Sequence, residues 1–407
     1  MIQQGVNISK EALNADKSFK PQTYALYNPN RSAESIGALP QEIILPYGVV
    51  VGVHQNPMSP YNITTREGKL LLNNTTGEIT EIGFTRKPNF FGKTTSFGST
   101  TRMINQTGLD FLTITYKQEC DYFFRGKNCK FCNANPTWMG RKVPERLNKE
   151  ELRQGLERVF DDRSDASAIR HIALSTGAFG NYAKEFDEFC ELLKIMDEFK
   201  PAQAYICAIM CPPRTVEDLQ KVSDIGVEHI CCNMEVFGLK TAREMVPAKS
   251  EQKERERHWN LFTKGQAIFG HANIWTNFVL GLEPIETFEN GVEVLANVGV
   301  TPSAMVFYPS WGSQLQSPKY SSVEYYYEAY KLLGNAYNDH QLVWKPQKRP
   351  VLCEGCFRNS LSNEAYLWRD ELNQIDATGF ANIIMELRQD GKSNREKSNS
   401  RKGRSNT

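Results

Sequence analysis

LDFLTITYKQECDYFFRGKNCKFC, residues 109–132, joins an apolar, β-branched run to three closely spaced cysteines. LDFLTITY (109–116) reads as a strand. Cys120, Cys129 and Cys132 follow with the spacing C-x8-C-x2-C. Thiolates are ligands for zinc and for iron–sulfur clusters. A structural zinc would want a fourth ligand nearby. Three thiolates without one suit a [4Fe–4S] cluster that keeps one iron open to a substrate or cofactor. The plainer alternative is a set of buried thiols acting as small apolar side chains.

Beyond this stretch, strands and helices alternate. Strand-like segments occupy 169–176, 202–210, 228–236, 272–280 and 302–309; helical spacing covers 149–160, 186–199, 215–226, 286–298 and a charged stretch within 250–269. Thr215 and Asp218 form a capping box at the start of one helix. Near-continuous apolar strands separated by helices are the mark of a parallel sheet buried on both faces. The expected fold class is therefore α/β, a partial or full (β/α) barrel of about six parallel strand–helix units. Such barrels work at the carboxyl ends of their strands, which is where Cys120 lies.

The flanks differ in character. Residues 1–100, rich in Asn, Thr, Gly and Pro, read as a β-rich N-terminal extension, with a short run at 47–53 and a hairpin turning near Gly77 within 69–84. The barrel is expected over 101–315, a mainly helical C-terminal region over 316–390 and a disordered basic tail over 391–407. In that C-terminal region helices are expected near 321–337 and 375–388. Composition narrows the functional classes. With 407 residues, 40% apolar content and 11% aromatic, the chain is able to bury a full core. Its formal net charge of +1 offers no whole-molecule field for nucleic acid or an anionic membrane. Ten cysteines without a secreted disulfide pattern, a polar N-terminus and no apolar run long enough to span a bilayer predict a reducing, cytoplasmic setting.

The cysteine loop, with the aromatic Phe131 before its last cysteine, resembles that of the radical S-adenosylmethionine (radical SAM) superfamily, whose usual spacing is C-x3-C-x2-C. Here the first gap is five residues longer, a small loop-entropy cost. Later segments resemble the biotin-synthase-like branch. STGAFG (175–180) stands where that superfamily binds the methionine amino group, so the resemblance assigns Thr176, Gly177 and Ala178 to cofactor binding through backbone or hydroxyl. CNME (232–235) resembles the Asn-x-acid pair that holds ribose hydroxyls; residues i and i+2 of a strand share a face, which would aim Asn233 and Glu235 together. Lys249 or Arg255 would pair with the methionine carboxylate. Gly281, in NFVLGLEP, lies in the segment that supports adenine, and FYPSWGSQL (307–315) resembles the sixth-strand ending of the same branch.

The resemblance implies an enzyme that reductively cleaves S-adenosylmethionine at the cluster to a 5′-deoxyadenosyl radical. That radical would abstract hydrogen from a small-molecule substrate in a biosynthetic pathway, with flavodoxin or ferredoxin as electron donor. Tyr308 and Trp311 are candidate substrate walls. The competing readings are modification of a peptide or RNA and a non-catalytic zinc or iron–sulfur scaffold. Cys353 and Cys356, a CxxC pair, are candidates for an auxiliary metal site or a redox dithiol.

Overall fold

The computed structural model describes residues 4–22, 39–117, 119–134, 146–307, 309, 312–315, 321–344, 348–350 and 360–374. Cys353, Cys356, Tyr308, Trp311, the helix expected near 375–388 and the basic tail lie outside them.

The N-terminal region forms a sheet of β1 (Asn7–Ile8), β2 (Glu42–Ile44), β3 (Val50–Gly52), β4 (Asn62–Arg66), β5 (Lys69–Asn74) and β6 (Gly77–Phe84), with helix α1 (Lys10–Ala15) after β1. Strands β5 and β6 are the expected hairpin. The run at 47–53 yields only β3, because Pro46 opens a short 3-10 turn that includes Gly48. The two-residue strands β7 (Thr94–Thr95) and β8 (Gly98–Ser99) follow in the chain. A buried Lys20–Glu42 ion pair ties this sheet to its neighbour, since Lys20 also donates to the Thr107 carbonyl at 2.7 Å.

The neighbour is a seven-stranded sheet. It contains β9 (Ile104–Thr107), β10 (Phe111–Lys117), β11 (His171–Thr176), β12 (Tyr205–Ile209), β13 (His229–Cys231), β14 (Ile274–Leu280) and β15 (Thr301–Val306). Their spatial order is sequential, β10 to β15 run parallel, and β9 adds antiparallel at one edge. The sheet has two edges, β9 and β15, so it is a partial barrel. The order follows from the alternation: each strand must be followed by a helix that carries the chain back across the sheet.

The helices along this path are α2 (Asp121–Phe124), α3 (Lys149–Phe160), α4 (Arg163–Ala168), α5 (Tyr182–Phe199), α6 (Val216–Asp224), α7 (Leu239–Met245), α8 (Gln252–Lys264), α9 (Gln266–Phe269) and α10 (Ile285–Asn297). After β15 come α11 (Val323–Asp339), α12 (Ser362–Leu367) and α13 (Arg369–Gln374). Asn148, Asn181 and Thr215 start α3, α5 and α6 by accepting a backbone N–H of the first turn. The charged stretch within 250–269 divides into α8 and α9 at Gly265. None of the described helices is long and apolar enough to cross a membrane.

Side chains alternate across the strands, and the two faces have opposite composition. Leu112, Ile114, Ile172, Leu174, Ile206 and Ile230 point outward and form one core with the helices, including Leu156, Phe189 and Leu219. Each such buried aliphatic side chain contributes about 1.5–3 kcal/mol. The inner face carries Thr113, Ala173, Cys207 and His229 in one row, then Thr115, Ser175, Ile209, Cys231, Trp275 and Thr301 in the next. Apart from Ile209 and Trp275, the residues of these rows are small or polar, where closed barrels stack bulky aliphatics.

Candidate active site

The carboxyl end of β10 delivers Cys120, which stands at the amino end of α2. This single helical turn takes up part of the long first gap. Two backbone contacts fix the cysteine against the end of β11. Ala178 N–H donates to Cys120 Sγ at 3.3 Å, and Asp121 N–H donates to the Ala178 carbonyl at 3.0 Å. Gly177 permits this approach: a Cβ there would sit 2.3 Å from the Glu119 carbonyl oxygen and 2.9 Å from Cys120 Cα.

Cys129 and Cys132 close one turn, with Cys132 N–H donating to the Cys129 carbonyl at 3.1 Å, and Ala134 N–H donates to Cys132 Sγ at 3.5 Å. The turn is pinned from two sides. Lys130 N–H reaches the Met245 carbonyl at the end of α7, and its own carbonyl accepts from Gln314 and Leu315. Phe131 packs against Val236, Ala242 and Val246.

The three thiols lie near enough to feel one another's charge. Burial pushes Cys129 well above the ordinary thiol range and Cys132 up to about 11; Lys249 opposes both shifts. Among the described residues, no three His, Cys, Asp or Glu side chains are grouped to hold a single metal ion. The all-sulfur donor set and the two N–H···S contacts fit a polynuclear iron–sulfur group, whose thiolates bind separate irons and are stabilised by such donors.

Facing them is the segment after β13. The expected strand to Val236 stops at Cys231, so Asn233 and Glu235 do not share a strand face by alternation. Glu235 adopts φ of +72°, a left-handed conformation unusual for a residue with a side chain, yet it pairs with β14 through a bridge to Phe278. Its carboxylate accepts from Lys249 Nζ at 2.7 Å, and the same ammonium donates to the Asn233 carbonyl at 2.7 Å. Burial pulls the Lys249 ammonium down, but the Glu235 carboxylate and the thiols of Cys129 and Cys211 carry it above its usual range. The Asn233 side-chain oxygen accepts from Asn277 Nδ2 at 2.9 Å. Asn233 and Glu235 thus reach one place by an irregular turn.

Other expected residues sit at the site with different contacts. Arg255 donates to the Phe237 carbonyl at 2.9 Å and so holds the loop. Glu283 accepts the Phe237 and Gly238 N–H groups at 3.0 Å, bracing the entry to α7. Gly281, at φ of +95°, ends β14 beneath α11 and donates to Tyr325 Oη at 3.3 Å. The Thr176 hydroxyl donates to the neighbouring Gly177 carbonyl.

His258 carries no sequence signal, whereas Cys211, at the end of the third barrel strand, is expected on the working side as a buried small residue rather than a ligand. His258 on α8 contacts the Asn233 carbonyl at 3.3 Å and the Glu254 carbonyl at 2.8 Å; burial pushes it down to about 4, so it is neutral and only one ring nitrogen donates. Cys211 packs with Cys120, Tyr122, Ala178 and Ala248. Far from this mouth, a surface hollow of about 540 Å³ between α5 and α6 is lined by Lys194, Glu217, Gln220, Lys221, Asp224 and Ile225 and has no link to the strand ends.

No family model matches the chain. A curated relative, the bacteriochlorophyllide c C-7(1)-hydroxylase of Chlorobaculum limnaeum, is 22% identical over 244 residues, which is 57% of this chain and 61% of the relative. The chain thus spans about three fifths of that relative's length. Similar solved structures include HydG, a maturase of the [FeFe]-hydrogenase, with 15% identity over 58% of this chain and 52% of that one at a TM-score of 0.43. Methylornithine synthase (PylB) matches with 15% identity over 57% of this chain and 64% of that one at a TM-score of 0.42. HemN of Escherichia coli, a coproporphyrinogen III oxidase and radical SAM enzyme, matches with 13% identity over 56% and 53% at a TM-score of 0.35.

Proposed function

We propose that this chain is a radical SAM enzyme that abstracts hydrogen from a small molecule in a biosynthetic pathway. The observation that carries the reading is a meeting of groups at the carboxyl end of a parallel half-barrel: the thiols of one loop lie within electrostatic reach of one another, of the Glu235 carboxylate and of the Lys249 ammonium. In this reading Cys120, Cys129 and Cys132 would hold a [4Fe–4S] cluster, with S-adenosylmethionine bound beside it. When bound, that pair supplies one-electron cleavage of the sulfonium to methionine and a 5′-deoxyadenosyl radical.

The chain's own residues bind, orient and shield. The N–H groups of Ala134 and Ala178 donate to the sulfurs of Cys132 and Cys120 and ease their negative charge. Glu235 and Asn233 offer acceptors for ribose hydroxyls. Lys249, whose charge reaches the thiols of Cys129 and Cys132, is assigned to the methionine carboxylate in preference to Arg255, which holds the Phe237 carbonyl. Lys249 neutralises Glu235 in the meantime, so neither charge stands buried alone. Phe131 and the α7 side chains that it packs against keep water from the loop's inner side. A reduced flavodoxin or ferredoxin is the proposed electron donor.

The test is anaerobic. Full-length protein reconstituted with iron and sulfide should turn brown and release 5′-deoxyadenosine from S-adenosylmethionine under dithionite. A colourless product that carries only zinc after the same treatment would sink the reading.

A further inference from the structure

The opposite end of the concave face is built differently. The register of β10 to β14 brings Thr113, His229 and Trp275 to that face, around the small side chains of Ala173, Cys207 and Cys231. Trp344, from the segment after α11, closes this floor. Its ring lies 4.9 Å from that of His229 and 4.3 Å from that of Tyr205, edge to face in both cases. His229 is fully buried, Thr113 is 3% exposed and Trp275 4%. Both ring nitrogens of His229, the Thr113 hydroxyl and the Trp275 indole N–H have no hydrogen-bond partner among the described residues. Buried polar groups in folded proteins are nearly always answered by protein, water or ligand. Four unanswered buried atoms on one face of the sheet, with the His229 and Trp275 rings 6.0 Å apart, describe a recognition site.

We propose that this floor is a subsite for a neutral hydrogen-bonding group of the substrate, a hydroxyl or a carboxamide, at the end remote from the carbon that reacts. The inference rests on the proposed reaction only in calling the ligand a substrate. Its chemistry follows from the donors and acceptors. Burial pushes His229 down to about 3, so its ring is neutral and presents one donor and one acceptor. The indole donates only, and the hydroxyl does either. The nearby cation Arg349 is paired with Asp110, so among the described residues the floor holds no uncompensated charge to receive a carboxylate. Geometry sets the substrate's length. Trp275 lies three residues before Phe278, the bridge partner of Glu235, so floor and mouth are separated by roughly 10 Å along the strand. An elongated molecule fits this span; a two- or three-atom substrate does not.

The probe is acetamide, with acetate as the charged control. In full-length protein labelled with 15N-tryptophan, Trp275→Phe identifies the Trp275 indole signal. Acetamide should move that signal saturably, acetate should not, and His229→Phe should weaken acetamide binding at least about tenfold. Thr113→Val, nearly isosteric, should weaken it less and keeps the test open where His229→Phe fails to fold. An equal response to acetate, no saturable response, or an ordered water bridging His229 and Trp275 that acetamide does not displace would overturn the subsite. Release of 5′-deoxyadenosine by the wild-type protein is measured separately. Acetamide binding without cleavage would sink only the radical reading, and cleavage without acetamide binding only the subsite.

Discussion

The two ends of the concave face are made by the same strands and obey opposite rules. At the mouth, polar groups answer one another: Lys249 holds Glu235 and the Asn233 carbonyl, Asn277 holds the Asn233 amide, and Glu283 holds two backbone N–H groups. At the floor, Thr113, His229 and Trp275 keep buried polar atoms without partners among the described residues. A satisfied network fixes a shape before any ligand arrives. An unsatisfied one costs stability until something fills it. The mouth is therefore built for geometry and the floor for recognition.

The strongest way to break this contrast is at the mouth. Cys129→Ala should abolish both iron loading and release of 5′-deoxyadenosine, read by metal analysis and chromatography; retention of either refutes the ligand assignment. Next comes the ion pair, whose side chains are 13% and 9% exposed. Lys249→Met leaves the Glu235 carboxylate buried and should cost about 3–5 kcal/mol in urea denaturation, while adding Glu235→Gln should recover most of it. If the double variant is no better than the single, the pair is not what fixes this loop. Gly177→Ala should cost about 1–3 kcal/mol, since the new methyl would lie 2.3 Å from a carbonyl oxygen. It should also lower iron content by displacing Cys120, which separates it from a merely destabilising change.

The floor responds to pH. The folded-state pKa of His229 is about 3, below its ordinary 6.5, because burial disfavours the charged ring and His171 adds to the effect. The unfolded chain thus binds the extra proton first. The stability contributed by the neutral ring is fully present above pH 6.5 and is lost as pH falls toward 3, at about 1.4 kcal/mol per unit. Denaturation between pH 7 and 4 should show a shallower slope for His229→Phe than for wild type. The smallest effect belongs to Trp275→Phe. Removing an unanswered donor while keeping an aromatic ring should change stability by no more than about 1 kcal/mol in either direction. A larger loss would mean that the indole N–H has a partner and that the floor resembles the mouth after all.

The cysteine loop and the strand–helix alternation were legible because each is written in neighbouring residues. Periodicity marked β10 to β12, β14, β15 and the helices α3, α5, α6 and α10 to within a few positions. Pairing i and i+2 failed at Asn233 and Glu235 because β13 ends at Cys231 and the backbone turns left-handed at Glu235. Nothing local announces that turn; it is held by β14, with Glu235 N–H donating to the Asn277 carbonyl at 2.9 Å. His258 has no local signal for the same reason, since its partner, the Asn233 carbonyl, is 25 residues away.

By itself, the sequence determined that three thiols stand at the carboxyl end of a parallel strand and that the strands alternate with helices, because spacing and side-chain period are local properties. Only the tertiary structure decided that the sheet stays open, that Lys249 answers Glu235, and that Thr113, His229 and Trp275 meet on one concave surface. Those outcomes depend on register between strands far apart in the chain. Parallel strands acquire that register only when the helices between them pack onto the sheet's outer face.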